Sequence, residues 1–295
     1  MSQRMGRISI RGISFGLLSY GLFCLRDAGV KWLVVTTSVW QIMFVHSLTV
    51  LIGTIALGGR PLLRRAIATP LKRPLSERAL LMLASWLCYF TAARSLPLGQ
   101  LTTLYFIAPL LTVAMAGRFL GENTTPARWA AVGIGFAGVM LASDPFGVTA
   151  SLPTLLVVSA AAMWAYGVIL MRRIARRETS LLQMLFGNTV FTVASGIASV
   201  AAWHVPVGIE LPLLLAVGLF GGLAQFGVFE AARSVPASVL ATMEYSALLW
   251  AFLLGFAIWG EVPAATVLVG AASIVGAGAL LVATERRALE TSARK

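Results

Sequence analysis

The chain repeats itself. Ala92 to Glu122 lies over Ala231 to Glu261 at a constant offset of 139 without a gap, and 11 of the 31 positions are identical. Ala-Ala-Arg-Ser-x-Pro at 92–97 returns at 231–236. Leu101, Thr103, Ala108, Leu110, Gly121 and Glu122 return as Leu240, Thr242, Ala247, Leu249, Gly260 and Glu261. Two similar apolar halves are the plan of a secondary transporter, with the substrate site between them.

The chain is 58% apolar and 12% charged, with a mean hydropathy of +0.87. A soluble surface of this size needs more polar residues. Apolar runs of membrane-spanning length number ten, at roughly 8–26, 36–57, 78–95, 99–118, 127–143, 152–171, 181–203, 211–232, 237–258 and 264–283. The first is read as a retained span and not a cleaved leader. It has no clear small-residue cleavage site, and Ser19-Tyr20-Gly21 is polar for a signal core.

With a cytoplasmic N-terminus, 20 of the 23 Lys and Arg fall on the cytoplasmic side, and only Arg26, Lys31 and Arg94 fall outside. This is the positive-inside signature. The net charge of +12 therefore reports topology. The cations are scattered over short loops, which argues against nucleic acid and suits anionic lipid head groups.

Five spans per half invert the second half relative to the first. The basic 58–78 loop has a nearly uncharged counterpart at 204–210, and the 26–35 loop corresponds to the arginine-rich 172–180 loop. The expected architecture is all-α and integral to the membrane: ten transmembrane helices in two inverted five-helix repeats with both termini cytoplasmic. The first repeat covers 8–143, the second 152–284, and a cytoplasmic tail 285–295. Ser143-Asp144-Pro145-Phe146-Gly147 marks the boundary.

Three features then carry a family resemblance: Phe119-Leu120-Gly121-Glu122 before Gly133, Gly135 and Gly138; Ile258-Trp259-Gly260-Glu261 before Gly270, Gly276 and Gly278; and Asp27-Ala28-x-x-Lys31-Trp32 after the first span. Over nearly its whole length the chain resembles the drug/metabolite transporter superfamily, EamA type. The resemblance implies transport of small organic metabolites without ATP hydrolysis, most often export, in the cell inner membrane. Its members handle amino acids, nucleotide-like cofactors, riboflavin, metallophores and drugs. His46 is a departure, because many relatives carry an arginine at that place in the second span.

Polar groups inside spans are expensive in hydrocarbon and mark function by default. Glu244 lies about eight residues into span nine, and its repeat partner is Tyr105 in span four. Carboxylate and phenol facing one another across a cavity can bind an ammonium group or carry a proton. The competing reading is an ion pair or hydrogen bond that locks two helices. Trp86, Tyr89, Trp164 and Tyr166 lie deep in spans three and six, where they line a pocket or simply pack. Gln41, His46 and Gln225 add polar groups at intermediate depth. Trp32, Trp129, Trp203 and Trp259 suit the interfacial belt.

Glu230 and Arg233, three apart near the end of span eight, read as a helix-end ion pair that helps to close an inner gate. Arg94 is the repeat partner of Arg233 and a mirror-image gate candidate. Pro109 in the middle of span four is a candidate kink, and Leu248 takes its place in span nine. Glu122 and Glu261 read as structural charges at helix starts. Gly12-x-x-x-Gly16 and Gly218-x-x-x-Gly222 read as close helix contacts.

There is no Walker A loop. Cys24 and Cys88 show no metal spacing, and His46 and His204 do not cluster. Gly133-x-Gly135-x-x-Gly138 falls inside a span, where a dinucleotide fingerprint has no strand to follow. No cofactor and no enzyme activity are expected. The sequence points to a secondary transporter that works by alternating access on a small, amino-acid-like or amphipathic zwitterion, most readily as an exporter. Alternatives are an importer of a vitamin such as riboflavin, and a non-transporting membrane scaffold or enzyme. Proton antiport with Glu244 as carrier and His46 in reserve stands beside facilitated diffusion.

Overall fold

The computed structural model describes residues 10–93, 95, 104–122, 125–143, 151–260, 269, 272, 273 and 276. Arg94, Glu261, the 144–147 boundary, the body of the tenth expected span at 264–283 and the 285–295 tail lie outside the described residues. Among the described residues the secondary structure is helical. The helices are α1 (Ile10–Leu33), α2 (Val39–Ala68), α3 (Lys72–Ala93), α4 (Ala108–Leu120), α5 (Pro126–Ser143), α6 (Leu152–Ala175), α7 (Ser180–Ser199), α8 (Glu210–Ser234), α9 (Ala237–Glu244) and α10 (Ser246–Trp259).

Six helical stretches are long and apolar enough to cross a membrane: Arg11–Leu33, Val39–Ala68, Leu152–Ala175, Ser180–Ser199, Glu210–Ser234 and Ala237–Ile258. Their outward faces carry large apolar side chains with no protein partner to bury them. Leu18, Leu57, Ile197, Leu219 and Leu253 are all exposed, as a hydrocarbon solvent requires. Trp32, Trp129 and Trp203 are exposed as well, as belt residues are, whereas the Trp259 side chain lies outside the description.

Two helix ends differ from expectation. α1 continues past 26 to Leu33, so Arg26, Asp27 and Lys31 are helical and not in a loop. The expected span 36–57 is the first part of a helix that runs on to Ala68 through a break at Gly59 (φ 55°, ψ −157°), a conformation that glycine reaches without a Cβ clash.

Helix contacts follow an exchange rule. α1 packs on α8 and α3 on α6; α2 packs on α8 and α3 on α7; α2 packs on α7, and α4 on α9. Each pair maps onto another of these pairs, or onto itself, when spans one to four are swapped for spans six to nine. The offset of 139 also holds in the backbone. Gly121 and Gly260 both end their helices in the left-handed region, at φ 63° and φ 67°. The helical run of span nine is interrupted at Tyr245, and that of span four at Phe106–Ile107. Phe106 and Tyr245 are repeat equivalents, and they touch. Their rings stack at 5.7 Å, and the Tyr245 hydroxyl donates to the Phe106 carbonyl at 3.3 Å. The pair packs with Val113, Val132 and Ala241 in one apolar cluster. Gly135 of α5 makes room for it, because a Cβ there would overlap the Tyr245 ring.

Small residues do the packing work assigned to them. Gly12 and Gly16 of α1 abut Ser234, Val235 and Met243, and Gly218 and Gly222 of α8 abut Thr49 and Val50. Segments expected on one face are tied to one another. Arg65 donates twice to Glu178 (2.9 and 2.7 Å) and Thr69 donates once (2.6 Å), joining the 58–78 stretch to the α6–α7 connection. On the other side, Gln41 pairs with the backbone of His204 at both N–H (2.8 Å) and carbonyl (2.5 Å), and Thr36 donates to Glu210 at 2.6 Å.

Glu178 gives this fold a pH signature. Burial pushes its carboxyl up, but the hydrogen bonds from Arg65 and Thr69 and the Arg65 charge outweigh that, holding it below the ordinary carboxylate value. A carboxyl more acidic in the folded state stabilises fully above its unfolded value of about 4, and loses that contribution as pH falls through the depressed folded value. Thermal unfolding in micelles, followed from about pH 7 to about pH 3, should show this acid loss in wild type and much less of it in Glu178→Gln. Parallel curves for the two proteins would remove the clamp from the account.

Candidate functional site

Glu244 is the last residue of α9, at the interruption before α10, and it is buried. The Trp164 indole N–H of α6 donates to its Oε2 at 3.2 Å. Tyr105 lies 6.4 Å from Trp164 and Tyr89 5.0 Å from Tyr105, ring centre to ring centre. Tyr20 of α1 and Trp164 belong to the same core cluster as Met243, the residue before Glu244. A carboxylate, an indole and the Tyr105 and Tyr89 rings, from α3, α6 and the broken spans four and nine, therefore come together. A broken helix suits this place, since irregular backbone at membrane depth is tolerated where it lines a protein interior or cavity.

Of the residues selected from sequence, Glu244, Tyr105, Tyr89 and Trp164 come together. Trp86 is a neighbour on α3, packed edge-on against Phe191 at 6.0 Å, with the Arg26 guanidinium 5.9 Å from its ring centre. Tyr166 does not join them. It packs against Phe119 at 5.8 Å and borders the apolar cluster of Leu62, Leu170 and Leu182, because two residues along a helix from Trp164 turn the side chain about 200° away. Gln225 accepts from Asn188 at 2.8 Å and ties α8 to α7. His46 sets Nδ1 3.3 Å from the Val217 carbonyl.

Tyr20 and Arg26 are additions that the sequence reading did not make. Tyr20 is buried in α1; its signal was a phenol in the middle of an apolar span. Arg26 stands beside His46: a Cβ on Gly221 would meet both the His46 ring and Arg26 Cδ.

The gate candidates are distributed as follows. Glu230 lies 3.4 Å from Arg233 on one helix face and accepts from the Ser180 hydroxyl at 2.6 Å. Pro109 is not mid-helix. It occupies the first turn of α4, after the interruption at Phe106–Ile107, where a missing N–H costs nothing. Span nine is interrupted at the equivalent place without a proline, so the break belongs to the fold. Arg94 lies outside the described residues. Glu122 does not serve its own following helix, which Thr125 caps by accepting from Arg128 N–H at 3.4 Å. It crosses to the other half, accepts from Ala237 N–H at 3.2 Å and the Ser238 hydroxyl at 3.4 Å, and lies 3.7 Å from Arg172 and 3.8 Å from Arg176. Arg172 also donates to the Ala232 carbonyl.

Comparison with known proteins agrees with this architecture. Residues 10–144 match the EamA-like transporter family. A riboflavin transporter of Rhizobium johnstonii is 30% identical over 65% of this chain and 64% of its own, so the match spans just under two thirds of that relative's length. A pseudopaline exporter of Pseudomonas aeruginosa is 26% identical over 93% of this chain and 97% of its own. A solved crystal structure superposes with a TM-score of 0.79 at 20% identity, covering 94% of this chain and 96% of that one, which shows a shared fold. The chain is thus a multi-pass inner-membrane protein whose residues 10–144 form an EamA-like transporter domain.

Proposed function

We propose that this protein is a secondary transporter that exports a small zwitterionic or amphipathic compound, amino-acid-like in size, by alternating access. Glu244 carries the reading: a buried carboxylate at a helix interruption, held by Trp164, whose ring leads on to Tyr105 and Tyr89. That setting suits an ammonium group, with the aromatic faces adding cation–π attraction. It equally suits a proton taken up on one side of the membrane and released on the other, which supports proton–substrate antiport. The helix exchange rule and the Phe106–Tyr245 contact support ten spans in two inverted repeats, 8–143 and 152–284, and the distribution of Lys and Arg supports cytoplasmic termini and a cytoplasmic 285–295 tail. A central binding cavity with Trp86, Tyr89, Tyr105 and Trp164 around Glu244, and inner gating at Glu230 and Arg233, belong to the same proposal.

A second reading, uptake of a vitamin such as riboflavin, draws support from the Tyr89–Tyr105–Trp164 ring series, which offers faces for a planar ring system. The test uses the full chain in proteoliposomes with an imposed pH gradient and clamped voltage. The probes are labelled aromatic and aliphatic amino acids, with riboflavin beside them. Export coupling predicts accumulation of an amino acid against its gradient and in exchange for protons. Movement of riboflavin alone selects the second reading, and movement of no probe removes both.

A further inference from the structure

Arg78 brings a guanidinium into the bundle without a carboxylate. It stands on the second turn of α3 and is half-buried. Its Nε donates to the Gly167 carbonyl of α6 at 3.3 Å, and a terminal nitrogen lies 3.9 Å from Met171 Sδ. The guanidinium carbon sits 4.7 Å from the Phe229 ring centre of α8. Met171 and Phe229 are buried. Among the described residues no carboxylate lies within ion-pair distance of Arg78. Carboxylates around the C-terminal end of α6 are engaged elsewhere: Glu178 with Arg65 and Thr69, Glu230 with Ser180 and Arg233, and Glu122 with Arg172 and Arg176. Glu77 is exposed. A sulfur, a ring face and one carbonyl leave the positive charge without a counter-charge, and an ionisable group of this kind inside a bundle marks a solute pathway by default.

The packing does not require this charge. The offset of 139 pairs Arg78 of α3 with Val217 of α8. Val217 is buried and abuts Gly29 of α1, as Arg78 and Met82 abut Gly167 of α6. One half fills the place with a valine, so close packing alone does not account for an arginine in the other. On α6, Trp164, Gly167 and Met171 follow at the i, i+3, i+7 spacing of a single helix face. Trp164 donates to Glu244, whereas Gly167 and Met171 hold Arg78. These two anchor points lie about 5 and 10 Å beyond Trp164 along the axis.

We infer that Arg78 is an anion-binding site that takes the carboxylate or phosphate of a small amphipathic solute. A guanidinium lying on a ring face keeps its N–H edge available, and that edge pairs with either anion through two parallel hydrogen bonds. Phe229 and Met171 supply the apolar wall. The site stands on the contacts of Arg78 itself and not on the Glu244 reading. Its placement on the cytoplasmic approach to Glu244 rests on the orientation proposed above, under which an exported compound with an acidic group meets Arg78 first.

The test is thermal unfolding of the full chain in uncharged micelles with three phenyl compounds: 3-phenylpropionate, phenyl phosphate and the cation phenethylamine. Saturating amounts of either anion should raise the wild-type midpoint by about 2–4 °C. Arg78→Gln and Arg78→Met should abolish that rise, and Arg78→Lys, which keeps the charge and loses the fork, should keep part of it. Arg73→Gln, at an exposed arginine of the same helix, should keep all of it, as should Glu244→Gln. Any shift with phenethylamine should be the same in wild type and in the Arg78 variants. Without a probe, Arg78→Met should be at least as stable as wild type, because it removes a charge that has no counter-charge. No rise with either anion in wild type, or a rise that survives in both Arg78→Gln and Arg78→Met, overturns the inference. So does a lower midpoint of both variants without a probe, which would make Arg78 a packing residue. Phosphatidylglycerol added to the micelles separates a lipid head group from a solute. An Arg78-dependent rise with this lipid, and none with the soluble anions, assigns the position to lipid and overturns the inference. An anion rise that depends on Arg78, beside wild-type accumulation by Glu244→Gln in proteoliposomes, removes the Glu244 reading and keeps this one.

Discussion

Glu244→Gln is expected to reduce substrate flux by about ten- to a hundredfold, the range that losing one charge-assisted contact supports. The amide oxygen can still accept from the Trp164 indole N–H, which now reaches Glu244 Oε2 at 3.2 Å, so the packing and fold should persist. What disappears is the charge and its proton. One charge moved across the membrane potential is worth about 2.3 kcal/mol per 100 mV, and the variant cannot draw on it through this residue. Paired proteoliposome measurements separate the two effects. Accumulation driven by a pH gradient should vanish, and passive exchange should slow but remain. Wild-type accumulation in the variant would return Glu244 to a helix-locking role.

Glu122→Ala should produce the largest loss of stability. The Glu122 side chain is 8% exposed and that of Arg172 10%, and the carboxylate also holds the first N–H of α9 across the two halves. Removing one partner of a buried pair costs about 3–5 kcal/mol, much of it from the charge left behind. Thermal unfolding in micelles should shift sharply downward in Glu122→Ala. The double variant Glu122→Ala/Arg172→Met should recover much of the loss, because the buried cation goes too and the remaining partner, Arg176, is more exposed. Additive losses would mean that the two residues act independently.

The sequence carried the apolar spans, the repeat and the offset of 139 because each is periodic or self-similar along the chain. Glu244 was legible for the same reason that it is costly: an acid in an apolar run has few neutral explanations. Arg26 was hidden by a boundary. It sits where hydropathy drops, and only the structure shows α1 continuing to Leu33 and the guanidinium turning onto Phe23 and Trp86. Tyr166 and Trp164 differ by two positions and look alike in sequence, but helical rotation sends one toward Glu244 and the other toward Phe119. Pro109 suggested a kink peculiar to span four; the matching interruption at Tyr245 has no residue signature of its own.

The contact between Phe106 and Tyr245 makes the two halves energetically unequal. Alternating access exchanges the conformations of two inverted halves, so a perfectly symmetric chain would spend equal time open to either side. Here the Tyr245 hydroxyl donates to the carbonyl of its repeat counterpart, and Phe106 has no hydroxyl with which to reciprocate. A hydrogen bond that exists in only one sense contributes about 1 kcal/mol, a several-fold bias at equilibrium. Under the alternating access proposed above, this bond favours the resting side in which it forms.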